Sequence, residues 1–248
     1  LSIPHLPERA TIMADSVQGV REFGSENTAK PIESEINARL AKMRRQIDYT
    51  IEYHRLLALA GSYMDLNGDV QSAYTLLGGS RYSVDFLLGT TTSTLREKCL
   101  DAIGHVEDGL GGVGYSGLEV ICHPTFWSKF ITHPKVEETY VYSEGAQLRA
   151  GLTNEVMFGG MRWRRYRGSS SAIVTSGKAF LFPVGVPDMY LTRFAPANYQ
   201  ETVNTIGLPY YAKSEPLPFG KGVEIEAQSN PLNICTRPTA LVEITTSN

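Results

Sequence analysis

Several stretches of this 248-residue chain hold residue types that could do chemistry. Gly111-Gly112-Val113-Gly114-Tyr115-Ser116-Gly117 contains the spacing GxGxxG. A dinucleotide site needs such a loop to leave a strand and open a helix, so that helix amides meet the pyrophosphate. Here a helical period precedes the glycines and Leu118–Cys122 reads as a strand after them, so a phosphate would meet a strand. Asp65, Asn67 and Asp69 imitate the start of a calcium loop, but Gly68 comes two residues early and no glutamate stands at the twelfth position. His123 and His133 flank a short predicted helix, Phe126–Thr132, with no cysteine or carboxylate placed to complete a zinc site, which points to capping or packing. Cys99, Cys122 and Cys235 are widely spaced and odd in number, as buried free thiols of a reducing compartment would be. No catalytic set, metal site or cofactor is therefore expected.

The densest patch is Met157–Arg167, where Arg162, Arg164, Arg165 and Arg167 interleave with Trp163 and Tyr166. Arginine clamps phosphate and aromatic rings stack on bases, so a nucleic-acid module is one reading. The other is an antiparallel strand with Arg162, Arg164 and Tyr166 on one face and Trp163, Arg165 and Arg167 on the other. Its arginines would pair with acids inside the chain or across a subunit interface. A net charge of -3 and a pI of about 6.0 favour the second.

The elements that would position these residues centre on Pro31–Tyr63. Ile32, Ile36, Leu40, Met43, Ile47 and Ile51 recur at three or four residues, one face of a helix. Pro31 suits the first helical position, Glu33 and Glu35 favour the positive end of the dipole, and Gly61 supplies a stop. The stripe is narrow and the rod is long for a domain of this size. Residues 1–30 offer one strand, Ala10–Ala14, interrupted upstream by Pro4 and Pro7. It is expected to be a flexible arm, or an arm that finds its partner on another subunit. Asn67-Gly68 predicts a type I′ hairpin, its second strand running Val70–Leu77. A second helix is expected within 91–110, capped near Ser93 or Thr94 and ended by Gly109. Leu118–Cys122, with its near-continuous apolar run, reads as a strand buried on both faces. Lys178–Val186 is read as a strand and another begins at Asp188. No apolar run reaches the roughly eighteen residues of a membrane span.

Two blocks carry a resemblance. DSVQGVREFGSEN (Asp15–Asn27) leads into ARLAKMRRQIDYTIEYHR (Ala38–Arg55), and RFAPANYQETVNTIGLPYYAK (Arg193–Lys213) precedes KGVEIEAQSNPLNICTRP (Lys221–Pro238). With MDLNGDV between them, they resemble the major capsid protein E family of tailed bacteriophages and prophages. The resemblance implies an α+β, HK97-like capsid fold with a long spine helix, a P-domain sheet and a compact α/β A-domain. Segment by segment it implies a partial E-loop and lead-in over 1–25, a P-domain with the spine over 26–90, an A-domain over 91–205 and a return to the P-domain over 206–248. Family members carry further sequence upstream, and without that part Ala10–Ala14 is expected to be loose or paired with another chain.

The implied function is a structural one. Hexamers and pentamers would build an icosahedral phage head around double-stranded DNA, with scaffold and head-decoration proteins as further partners and no membrane. The protein would occupy the virion, and the host cytoplasm before assembly. Arg21, Glu22, Arg162, Arg164, Arg165 and Arg167 are the candidate subunit-interface residues. The rivals are the shell of an encapsulin-like compartment, a nucleotide-binding α/β enzyme resting on the glycine run, and a nucleic-acid module resting on the arginines.

Overall fold

Met43, Ile47 and Ile51 fix how the long helix lies, because between residues 32 and 53 they alone are buried. In the computed structural model, residues 2–17, 32–143, 155–168 and 176–247 are described. The chain runs β1 (Leu6–Met13), α1 (Ala14–Val17), α2 (Ile32–Leu59), β2 (Ser62–Met64), β3 (Val70–Ser72), α3 (Ala73–Leu77), β4 (Tyr82–Asp85), α4 (Leu95–Leu110) and β5 (Gly117–Cys122). It continues through α5 (Pro124–Ile131), α6 (Pro134–Ser143), β6 (Glu155–Phe158), β7 (Met161–Arg165), β8 (Lys178–Val184) and β9 (Tyr190–Phe194). The last strands are β10 (Tyr211–Pro216), β11 (Gly222–Ser229), β12 (Pro231–Cys235) and β13 (Val242–Thr245). Two compact units result: residues 1–55, 64–70 and 192–233, and residues 56–63, 71–191 and 234–248. These limits differ from segments cut at 90 and 205, because β4 and β13 pair with each other and β13 pairs with β8 in one sheet.

The first unit is a helix on a sheet. The sheet order is β1-β11-β10, antiparallel throughout, with β1 and β10 as its edges. Alternation along β11 sends Ile225 and Ala227 to one face, where they join Ile12 and the α2 stripe Met43, Ile47 and Ile51. Burying each of these large side chains stabilises the unit by roughly 2 kcal/mol. The opposite face carries Arg9, Glu224, Glu226, Lys213 and Glu215, with Arg9 paired to Glu226 and Lys213 to Glu201. The N-terminal segment thus departs from expectation. Its strand spans eight residues and pairs along its whole length with β11 of the same chain, so it is neither a loose arm nor dependent on another subunit. Pro7 is tolerated because β1 is an edge.

The second unit is built on a six-stranded mixed sheet, β4-β13-β8-β5-β7-β6. Along β5, Leu118, Val120 and Cys122 are buried while Glu119 and Ile121 are half-buried. The strand therefore alternates, and is not covered evenly on both faces. Pro183 sits in β8 opposite Leu118, beyond Leu181, where β13 has already ended. Its missing N–H therefore breaks no ladder on that side. Glu243 on β13 is nearly inaccessible and bridges Arg81 (3.1 Å) and Lys178 (2.7 Å); Arg81 also donates to the Ala60 carbonyl at 2.8 Å. That carbonyl follows the last turn of α2, where Gly61 holds a φ of 69° and a Cβ would meet the Tyr74 ring at 2.5 Å.

Three local expectations change. The turn at Asn67-Gly68 is not type I′, since Gly68 has positive φ and Asn67 does not. Instead Gly68 N donates to Asp65 O, and the Asp65 carboxylate accepts from the amides of Asn67 and Asp69 at 2.9 Å each. An aspartate that caps its own turn offers little to a cation. The second hairpin strand is only three residues long, because Ala73–Leu77 turns helical and buries Ala73 and Tyr74. Gly109 does not end α4: Gly111 does, in the left-handed conformation, with its amide on Glu107 and Asp108. Gly109 instead lets the Pro238–Ala240 turn approach, since a Cβ there would lie 2.5 Å from the Thr239 carbonyl oxygen.

Gly104, also within α4, has open space around it. Gly104→Ala should therefore raise stability by about 0.5–1 kcal/mol from helix propensity, while Gly109→Ala should lower it despite the same gain, as urea unfolding midpoints will show. The three thiols are buried and free, and burial pushes those of Cys99 and Cys235 up to about 12 and Cys122 well above its ordinary value. Folded protein at pH 8 should consume no Ellman reagent, and urea-unfolded protein three equivalents.

Candidate assembly surfaces

The arginine segment folds as the hairpin β6–β7 around Gly159-Gly160, both with positive φ. Alternation sends Met161 and Trp163 into the core and Arg162 and Arg164 outward. Trp163 is fully buried, its indole N–H donates to the Phe158 carbonyl at 3.0 Å, and its ring lies 4.2 Å from that of Phe130 and 5.6 Å from that of Phe86. Tyr166 is half-buried against Ala60 and Phe180. Neither ring is a platform for bases, so the stacking half of the nucleic-acid reading is lost.

On the outer face the parallel β5–β7 register sets Glu119 beside Arg162. Its carboxylate lies 3.9 Å from Arg162 and 3.5 Å from Arg164, and Glu155 on β6 lies 3.2 Å from Arg164. The internal pairing foreseen for these arginines is present, and it leaves Arg162 and Arg164 partly exposed. Arg165 and Arg167 are exposed at the end of the strand. Arg21 and Glu22 lie outside the described residues. Sequence reasoning missed Glu119; the one signal was a lone charge inside the apolar run Leu118–Cys122.

The other chemistry-bearing residues take structural roles. His123 caps α5, accepting from the Thr125 amide at 3.1 Å. Buried His133 accepts from the Lys135 amide at Nδ1 and donates from Nε2 to the Thr90 carbonyl, capping α6, a helix the sequence did not suggest. The glycine run joins the C-terminus of α4 to β5, so the loop leads into a strand and does not open a helix. Among the described residues no group of three His, Cys, Asp or Glu could hold a metal, and no helix is long and apolar enough to cross a membrane. An open groove of about 1060 Å³ lies between the start of α4, α6 and the Gly159-Gly160 turn, with Leu100, Ile103 and Phe158 among its walls. Its polar lining includes Arg96, Glu97, Lys135 and Glu138 with the hydroxyls of Thr92, Ser93, Thr94 and Thr139; those of Ser93 and Thr139 donate to the Phe86 and Lys135 carbonyls.

The described residues also present surface for contact: a helix exposing a polar face, a charged sheet face and a group of exposed arginines. Comparison with known proteins decides the kind of contact. A family model described as phage major capsid protein E matches residues 1–246. The chain belongs to that family. The major capsid protein of Pseudomonas phage KPP10 is 30% identical over 268 residues, covering 98% of this chain and 76% of the relative. That of Salmonella phage Felix O1 is 25% identical, covering 97% and 76%. Among solved structures, a prophage capsid protein from E. coli CFT073 superposes with a TM-score of 0.64 at 13% identity, covering 99% of this chain and 77% of the other. The capsid of cyanophage P-SCSP1u gives 0.58 at 11% identity, covering 99% and 73%. The fold is the HK97-type capsid fold, and the protein is a structural component of a phage capsid. Neither the compartment shell nor the nucleotide enzyme is favoured.

Exposed ion pairs contribute about 0–1 kcal/mol, whereas a buried tryptophan truncated to alanine costs about 3–5. Arg164→Ala should therefore lower the unfolding free energy by no more than about 1 kcal/mol, and Trp163→Ala by several times that, measured by urea titration.

Proposed function

We propose that this family member assembles with copies of itself into hexamers and pentamers of an icosahedral head that encloses double-stranded DNA. The observation that carries the reading is the match to the capsid family along essentially the whole chain. In this reading the α2 unit is the peripheral P-domain, the six-stranded unit is the axial A-domain, and the segment over 1–25 belongs to the E-loop and its lead-in. The charged residues Arg21, Glu22, Arg162, Arg164, Arg165 and Arg167 act across subunit boundaries. For Arg162 and Arg164, the partly exposed pairs with Glu119 and Glu155 can be shared with or exchanged for a neighbour's acids. Scaffold and decoration proteins, packaged DNA, and a cytoplasmic stage before assembly complete the proposal, and its product is geometry instead of turnover. Individually modest contacts gain strength by repetition and closure.

Negative-stain electron microscopy and light scattering of the expressed protein should show closed shells of uniform diameter. A monodisperse monomer at all concentrations, alone and with the phage's other head proteins, overturns the reading. Arg21→Glu and Arg165→Glu should reduce shell yield without shifting the unfolding midpoint; unchanged yield removes that residue from the interface.

A further inference from the structure

Asn67 is the one asparagine in the chain that a glycine follows. The pair sits in the turn between β2 and β3, where Asp65 N donates to Asp69 O at 3.0 Å and closes the loop. At such a pair the nitrogen of the glycine can attack the carboxamide carbon of the asparagine and close a succinimide ring. A folded chain permits that attack when the side chain is free to swing, the nitrogen is uncrowded and its proton is loosely held.

The turn meets all three conditions. Asn67 and Gly68 are both exposed among the described residues. The loop is tied through its backbone: the Asp65 carboxylate accepts from the amides of Asn67 and Asp69 at 2.9 Å each, and among the described residues nothing hydrogen-bonds the Asn67 carboxamide. Gly68 holds a φ of 82°, which glycine adopts without strain, and nothing lies within 4 Å of the place a Cβ would take. Its N–H donates to the Asp65 carbonyl at 3.2 Å, the long limit of an ordinary bond. Other sites that could form the ring are closed. Asp108-Gly109 lies inside α4, with Gly109 against the Thr239 carbonyl. Asn230 precedes Pro231, which has no N–H, and Asn233 is buried.

We infer that Asn67 is a site of spontaneous modification, deamidating in the folded protein through a succinimide with Gly68. The Gly68 nitrogen gives its proton to solvent base and bonds to Asn67 Cγ. The bond from Cγ to the side-chain nitrogen breaks, and that nitrogen takes a proton from water and leaves as ammonia. Water then opens the ring at one of its two carbonyls. Opening at Cγ yields aspartate; opening at the main-chain carbonyl yields isoaspartate, whose backbone runs through the former side chain. Water is the one co-reactant, and no electrons are transferred. Either product adds a carboxylate between Asp65 and Asp69, and isoaspartate lengthens the main chain by a methylene, so the Asp65 carboxylate loses its fit to the two amides. The inference concerns a single chain and is independent of the shell reading.

The test incubates the full chain at pH 8, folded and unfolded in guanidinium. The tryptic peptide over residues 56–81 is followed by mass spectrometry against a zero-time sample, with fragmentation that separates isoaspartate from aspartate. Folded protein should convert Asn67 ahead of every other asparagine, to isoaspartate and aspartate together, at a rate proportional to hydroxide concentration. One ordinary hydrogen bond on the Gly68 nitrogen should slow it by about tenfold at most relative to unfolded protein. Asn67→Gln, which needs a larger ring, should leave the peptide unchanged over the same interval. Conversion confined to the unfolded protein overturns the inference, and so does aspartate as the sole product, which marks direct hydrolysis without the ring.

Discussion

The first unit depends on one apolar seam, where the stripe Met43, Ile47, Ile51 of α2 meets Ile12, Ile225 and Ala227 of the sheet. Because the stripe is narrow, helix and sheet each bury one face and present the other. A single seam between two layers gives that unit a high proportion of surface for its chain length, and surface is what a shell subunit trades in. The same seam explains why β1 is ordered: Ile12 belongs to it, so the N-terminal strand adds to the core and is not merely appended.

The second unit solves a different problem. Its sheet collects strands from distant parts of the chain, and its core stacks Trp163, Phe130, Phe126 and Phe86 into one aromatic cluster. Glu243 sits almost out of reach of solvent between Arg81 and Lys178. A buried carboxylate is tolerated when two cations and good geometry offset its lost hydration. Through Arg81 the same network holds the carbonyl of Ala60, just past the end of α2.

Local periodicity made α2 legible from residues alone, because a three-to-four repeat over about five turns has no competing explanation. The alternation that sets Trp163 on the face opposite Arg162 and Arg164, and a capping or packing role for His123, were legible from immediate neighbours, but not which of the two faces is buried. What was not legible depended on partners far away in the chain. Arg9 meets Glu226, 217 residues later, and nothing near Ala10 announces β11. Gly109 looked like a helix stop because the reason for its missing side chain, the Thr239 carbonyl, lies in another segment. Glu119 looked like an interruption in a buried strand until the β5–β7 register placed two arginines over it.

Among the described residues the sheet of the first unit ends in two edge strands, β1 and β10. Unsatisfied strand edges invite ladder growth, and a protein crowded among copies of itself meets that hazard constantly. Pro7 in β1 and Pro216 in β10 each remove an amide, and Glu8, Arg9, Lys213 and Glu215 place charge along the two borders. Backbone-templated stacking toward fibres is thereby disfavoured, and association is left to side chains, whose geometry can specify a closed particle.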